Sequence, residues 1–180
     1  TCRVVNYHHS ERTEKIIGYH MEGKTRYDVE EMDVEKSDLE TFPIHFGVNF
    51  PHLKVLKIMS GQIQELRKVH FENFPHLEEL HMPNNDLRAI WSDAFEFAKH
   101  LQVINVEKNR LSYVGIGAFW KLQNLTQVIL EGNQKINFRG SNQRDLINEL
   151  KRSKVVYHDA LQCDYSRMNL RFVGKIYVCR

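Results

Sequence analysis

A period of 24 residues runs through the middle of this chain. Segments beginning at Val29, Leu53, Leu77, Leu101 and Leu125 align, each start 24 residues after the last. The fourth position then reads Met32, Leu56, Leu80, Ile104 and Val128, and the sixth Val34, Ile58, Met82, Val106 and Leu130. The ninth reads Ser37, Gly61, Asn85, Asn109 and Asn133; the eleventh reads Leu39, Ile63, Leu87, Leu111 and, one place late, Ile136. A second apolar set follows at Phe42, Leu66, Ile90 and Val114, with an aromatic at Phe71, Phe95 and Phe119. A repeat this short cannot enclose a core of its own. Each copy must bury its apolar face against the next, which forces a stack rather than a closed globule.

The columns say what each position does. Apolar residues at the fourth and sixth positions alternate as in a short strand with one face buried, so the third, fifth and seventh point the other way. The Asn column suits a side-chain amide that bonds backbone groups of the turn ending the strand and stacks on its copy next door. Ser37 and Gly61 break that column in the first two copies. The back-half Phe fills the space between the strand layer and the returning segment. The expected fold is an α/β repeat solenoid with short parallel strands on its concave side and irregular, 3-10 or short helical segments on its convex side.

The pattern resembles the extracellular, 24-residue class of leucine-rich repeat proteins, LxxLxLxxNxL followed by a Phe. Its clearest copy runs from Leu101 to Leu111, and the resemblance covers residues 29 to about 136. Secreted insect proteins of this class, including the mosquito leucine-rich repeat proteins of complement-like immunity, are similar in repeat type and terminal cysteine style. Those relatives carry a C-terminal coiled coil, and no sustained heptads occur here. What the resemblance implies is a secreted or ectodomain module that binds a protein partner in a setting of innate immunity.

The flanks read as caps: residues 1–28 before the repeats of 29–140, and 141–180 after them. Arg3-Val4-Val5 and Lys15-Ile16-Ile17 suit a strand pair closing the first repeat. Residues 141–152 set Leu146, Ile147 and Leu150 on one face of a helix begun by Ser141, with Val155-Val156-Tyr157 as a strand beyond it. Leu161–Cys163 and Gly174–Cys179 read as two strands joined by a loop, from which a Cys163–Cys179 disulfide is expected. Closing a loop of about 15 residues would contribute on the order of 3 kcal/mol in the chain-entropy model. The third thiol, Cys2, is odd. The matching pairs Cys2-Arg3 and Cys179-Arg180 suggest a piece of a longer chain whose upstream partner cysteine is missing; otherwise Cys2 stays a thiol or forms a disulfide dimer.

Composition narrows the functions. Hydrophobic content of 42% excludes disorder, and a net charge of +2 with interspersed signs gives no basic field for nucleic acid. No apolar run reaches the ~18 residues a spanning helix needs, so this chain is not expected to insert in a membrane. The motifs GxSxG, HExxH, GxxxxGKS/T, GxGxxG and CxxC are absent, so no catalysis and no cofactor is expected. Ten histidines invite a metal, yet most are scattered singly, and none is assigned. His52, His76 and His100 recur before three of the repeats; a stacked, pH-sensitive ladder is one reading, and an ordinary polar loop position the preferred one.

The expected binding surface is the outward side of the repeat strands. It reads Glu31, Asp33 and Glu35, then Val55, Lys57 and Met59, then Glu79, His81 and Pro83. Val103, Asn105 and Glu107, and Gln127, Ile129 and Glu131, follow. Lys57 is its only fixed positive charge, and Val55, Met59, Val103 and Ile129 give apolar footing among acids, which suits a protein interface better than a nucleic acid. Asn124-Leu125-Thr126 is the single glycosylation sequon. A structural or adhesive spacer without a dedicated ligand is the alternative to a binding module, and an intracellular repeat protein with reduced thiols a third reading.

Overall fold

In the computed structural model the described residues are 2–5, 23–35, 39–141, 143–153, 171–173 and 176–178. In chain order the strands are β1 (Cys2–Val5), β2 (Glu31–Glu35), β3 (Val55–Met59), β4 (Glu65–Leu66), β5 (Glu79–His81) and β6 (Ala89–Ile90). Then come β7 (Val103–Asn105), β8 (Tyr113–Val114), β9 (Gln127–Ile129), β10 (Arg139–Gly140), β11 (Arg171–Val173) and β12 (Ile176–Val178). Two α-helices, α1 (His45–Asn49) and α2 (Gln143–Ser153), and short 3-10 segments at 26–28, 68–71 and 116–119 complete the described elements.

The expected architecture is present. One sheet runs β1-β2-β3-β5-β7-β9-β10, parallel from β1 to β9, and successive repeats pair in register: Met32 faces Leu56, Leu56 faces Leu80, Leu80 faces Ile104 and Ile104 faces Val128. A 24-residue step therefore stacks identical positions, so the leucine columns of the sequence become continuous ridges of core. Met32, Leu56, Leu80 and Ile104 are wholly buried. A second, lateral sheet of β4, β6 and β8 is built from the second apolar set, with Leu66, Ile90 and Val114 fully buried beneath it. Behind both lies a spine of rings: Phe71, Phe95 and Phe119 are fully buried, with centroids 5.2 and 5.8 Å apart. Rings at that separation and tilt attract beyond their area of contact.

The turn that ends each strand is held by two devices. Residues at the eighth position adopt left-handed backbone: Ser60, Asn84, Lys108 and Gly132, with φ between 52° and 70°. Their N–H groups reach the next repeat, Ser60 to Pro83 O, Asn84 to Glu107 O and Lys108 to Glu131 O. The Asn that follows is buried and bonds back to the preceding repeat. Asn109 Nδ2 donates to Met82 O at 2.8 Å while its Oδ1 accepts from Leu87 N–H at 2.9 Å. Asn133 repeats both bonds to Val106 O and Leu111 N–H. Gly61, where the column breaks, is constrained by its neighbour: a Cβ there would stand 2.7 Å from Asn85 Oδ1.

The caps are described in part. β1 joins the large sheet as a further parallel strand beside β2, Val4 in register with Val34. Lys15–Ile17, its expected mate, lies outside the described residues, as do Val155–Tyr157, Leu161–Cys163 and Cys179. Among the described residues Ile176–Val178 pairs antiparallel with Arg171–Val173, Ile176 in register with Val173. At the end of the repeats β10 doubles back antiparallel to β9, Gly140 facing Val128, and α2 follows with Leu146 and Leu150 fully buried and Ile147 half-buried.

Candidate functional site on the large sheet

Register converts the outward positions into rungs. Glu31, Val55, Glu79, Val103 and Gln127 form one; Asp33, Lys57, His81, Asn105 and Ile129 form the next; Glu35 and Met59 begin a third. Neighbouring strands in a sheet lie about 4.8 Å apart, so each rung is a continuous row of side chains. Val55, Met59 and Val103 are half-exposed on this face, while the alternate residues Leu56, Ile58 and Ile104 are buried beneath them.

Charges on the face are organised in pairs. Lys57 Nζ bonds Glu31 Oε1 at 2.6 Å across the β2–β3 step, and that bond raises the Lys57 pKa above its ordinary value. His81 Nε2 lies 2.9 Å from Glu79 Oε2 on its own strand. Asp33 stands in register between Arg3 and Lys57. Asn105 Oδ1 accepts from Glu107 N–H at 3.0 Å. One cation was missed by reading the repeat strands alone. Arg139, on the returning strand β10, bonds Glu131 at 2.6 Å and stands 3.8 Å from Glu107. Its bond holds the Glu131 carboxyl below the usual range. Lys57 is therefore not the face's only fixed positive charge. The antiparallel return that delivers Arg139 lies outside the 24-residue period, which is why the repeat gave no sign of it.

Two expected outward residues are corrected. Ile129 is buried, at 6% exposure, and gives no apolar footing at the surface. It sits in register with Arg139, whose guanidinium spans the carboxylates on either side of it. Pro83 is also buried, because β5 ends at His81 and the chain has already entered its turn. Elsewhere His52, His76 and His100, before three of the repeats, are exposed; His52 and His76 rings meet at 6.1 Å, edge on, and His52 Nδ1 lies 2.9 Å from Tyr27 O. Asn124 is exposed in a turn. Among the described residues no group of three His, Cys, Asp or Glu is placed to hold a metal, and no helix is long and apolar enough to cross a membrane.

A family model for the leucine rich repeat matches residues 51–106 and 75–134, the stretch in which the Asn ladder and the ring spine are continuous. Residues 51–134 are leucine-rich repeats. Solved structures similar to it include the leucine-rich repeat domain of APL1B, 26% identical with a TM-score of 0.53 over 59% of this chain and 31% of that one. The APL1 leucine-rich repeat domain is 26% identical with a TM-score of 0.52, over 59% and 28%. A chain of the Toll–Spatzle complex of Drosophila development and innate immunity is 23% identical with a TM-score of 0.54, over 61% and 15%, a likeness of fold alone. The leucine-rich repeat chain spans a third or less of the length of each of these. No curated protein sequence matches it significantly.

Proposed function

We propose that this leucine-rich repeat chain is an extracellular protein-binding module that engages its partner through the outward face of the large sheet, in a setting of innate immunity. The observation that carries the reading is the mixture on that face. Val55, Met59 and Val103 are half-exposed in rows shared with acids, which outnumber Lys57 and Arg139 on that face. Apolar footing with a surplus of carboxylates suits a protein partner with a complementary basic patch, since charge complementarity steers encounter and buried apolar contacts hold the complex. Repeat solenoids offer such faces as extended surfaces rather than pockets, which suits binding and not catalysis. The Toll–Spatzle structure, similar in fold, is itself a protein complex. Extracellular placement agrees with an exposed Asn124 sequon.

The test starts from capture of partners by the purified chain from its native fluid. Lys57→Glu or Met59→Ala should then weaken the captured complex by about tenfold or more while Tm stays within about 2 °C, because both side chains are half-exposed. Loss of binding only on substitution of convex or terminal residues would place the interface elsewhere. Absence of any specific partner would favour a structural spacer.

A further inference from the structure

Among the described residues the lateral sheet ends at β4. In the later repeats its ladder continues by a fixed rule: Arg88 N–H and Ala89 N–H donate to Gln64 O, Trp91 N–H to Leu66 O, and Gly115 N–H to Ile90 O. By the same rule Arg67 N–H should donate to Phe42 O. It does not. Phe42 O instead accepts from Ile44 N–H at 2.9 Å, as the first repeat turns away toward α1, and Arg67 N–H goes to His70 Nδ1 at 3.2 Å. Among the described residues β4 is paired by β6 on one side and by no strand on the other. The divergence opens a pocket of about 450 Å³ lined by Glu40, Phe42, Ile63, Glu65, His70 and Arg88 with their neighbours. That volume lies within the ~300–1,000 Å³ range of ligand sites.

The walls have a definite chemistry. Phe42 and His70 stack flat, centroids 5.3 Å apart at 6°, and with Ile63 give an apolar floor. Because His70 Nδ1 accepts the hydrogen bond from Arg67 N–H, the neutral ring carries its proton on Nε2 and offers a donor. Burial lowers the His70 pKa and keeps the ring neutral. Glu65 is already occupied, taking two bonds from Arg67 at 2.7 and 3.0 Å and one from Trp91 Nε1 at 2.9 Å. Glu40 is exposed to solvent. Arg88 has no ion pair among the described residues and is exposed at the mouth. A strand paired on one side alone can take another backbone on its other side, and a guanidinium without an ion pair among the described residues asks for a carboxylate.

We propose that this pocket is a docking site for an extended peptide of a partner protein, which adds to the edge of β4 away from β6 as a further strand of the lateral sheet and sets an acidic side chain against Arg88 and His70 Nε2–H. Backbone pairing gives the affinity and the side-chain pocket the selectivity, as in other strand additions. The site is separate from the outward face of the large sheet and stands or falls apart from it.

The probe is a short fluorescein-labelled peptide of alternating valine and threonine with one central glutamate, titrated into the ¹⁵N-labelled whole chain. Saturable binding with the largest amide shifts at Glu65 and Arg67 is expected. N-methylation of the peptide's central amides should weaken it about tenfold, and a glutamine in place of the glutamate should bind less well to the wild type. Arg88→Gln should erase the preference for glutamate, with Tm unchanged because Arg88 is exposed; Lys57→Glu should leave peptide binding untouched. No saturable binding, indifference to N-methylation, or shifts confined to other residues would overturn the proposal.

Discussion

Asn109 shows how one residue type came to define a turn. Its amide donates to Met82 O, Val106 O and Glu107 O and accepts from Leu87 N–H, so a single side chain ties the turn of one repeat to two segments of the repeat before. Asn109→Ala would leave these buried groups unpaired and is expected to cost about 1–3 kcal/mol in chemical denaturation. Asn85→Ala should cost less, because Asn85 Oδ1 has no partner among the described residues and only Nδ2 is engaged, with Ile58 O and Pro83 O. Equal losses would show that the acceptor half of the column is inert. His70 makes a second prediction. Burial, more than the opposing Glu65 carboxylate, depresses its pKa, so the unfolded chain binds the proton more readily. The stability His70 contributes is present above the ordinary histidine pKa of about 6.5 and is lost as pH falls through the lowered value. Between about pH 7.5 and 5 the Tm of the wild type should therefore fall more steeply than that of His70→Gln. Parallel curves would remove His70 from the acid response.

At the level of elements, the spacing between repeats is set by close approaches as much as by apolar area. Gly115 opens the 3-10 segment of the fourth repeat with ordinary backbone, φ −70°, so glycine is there for room rather than for conformation. A Cβ would stand 2.2 Å from Ser92 Oγ, 2.5 Å from Ser92 N and 2.6 Å from Ser92 Cα. Gly115→Ala should push the third and fourth repeats apart and cost about 1–3 kcal/mol. Ser92→Gly should not rescue it, because two of the three clashes are with backbone. Full rescue in the double variant would mean that the hydroxyl alone sets the spacing. The ring spine was legible beforehand from Phe71, Phe95 and Phe119. The lateral sheet was not, since two-residue strands leave no alternation to read, and the eighth-position turns use Ser, Asn, Lys and Gly in succession.

For the whole molecule, stability is transmitted from neighbour to neighbour, so damage at one end should be felt there first. Helix α2 closes the last repeat with Leu146 and Leu150 fully buried, and Gln143 Nε2 donates to Phe119 O. Leu150→Ala is expected to cost about 2–5 kcal/mol. Amide exchange should accelerate most in β9 and β10 and least in β3. Uniform acceleration would mean that the repeats open as one unit rather than from the exposed end.

The sequence by itself determined the period, and the period determined the stack, because side chains repeating every 24 residues meet their own copies in register. It also marked the buried columns, the Asn turns from Asn85 onward and the outward positions of each strand. Tertiary structure alone decided which of those positions face solvent. Ile129 is covered and Arg139 delivered by a strand that reverses direction outside the repeat, and β1 extends the sheet from a segment with no repeat at all. That β4 has a strand on one side only, among the described residues, likewise depends on where the first repeat departs from its neighbours. Such features arise where the translational symmetry ends, and a periodic pattern carries no information about its own boundaries.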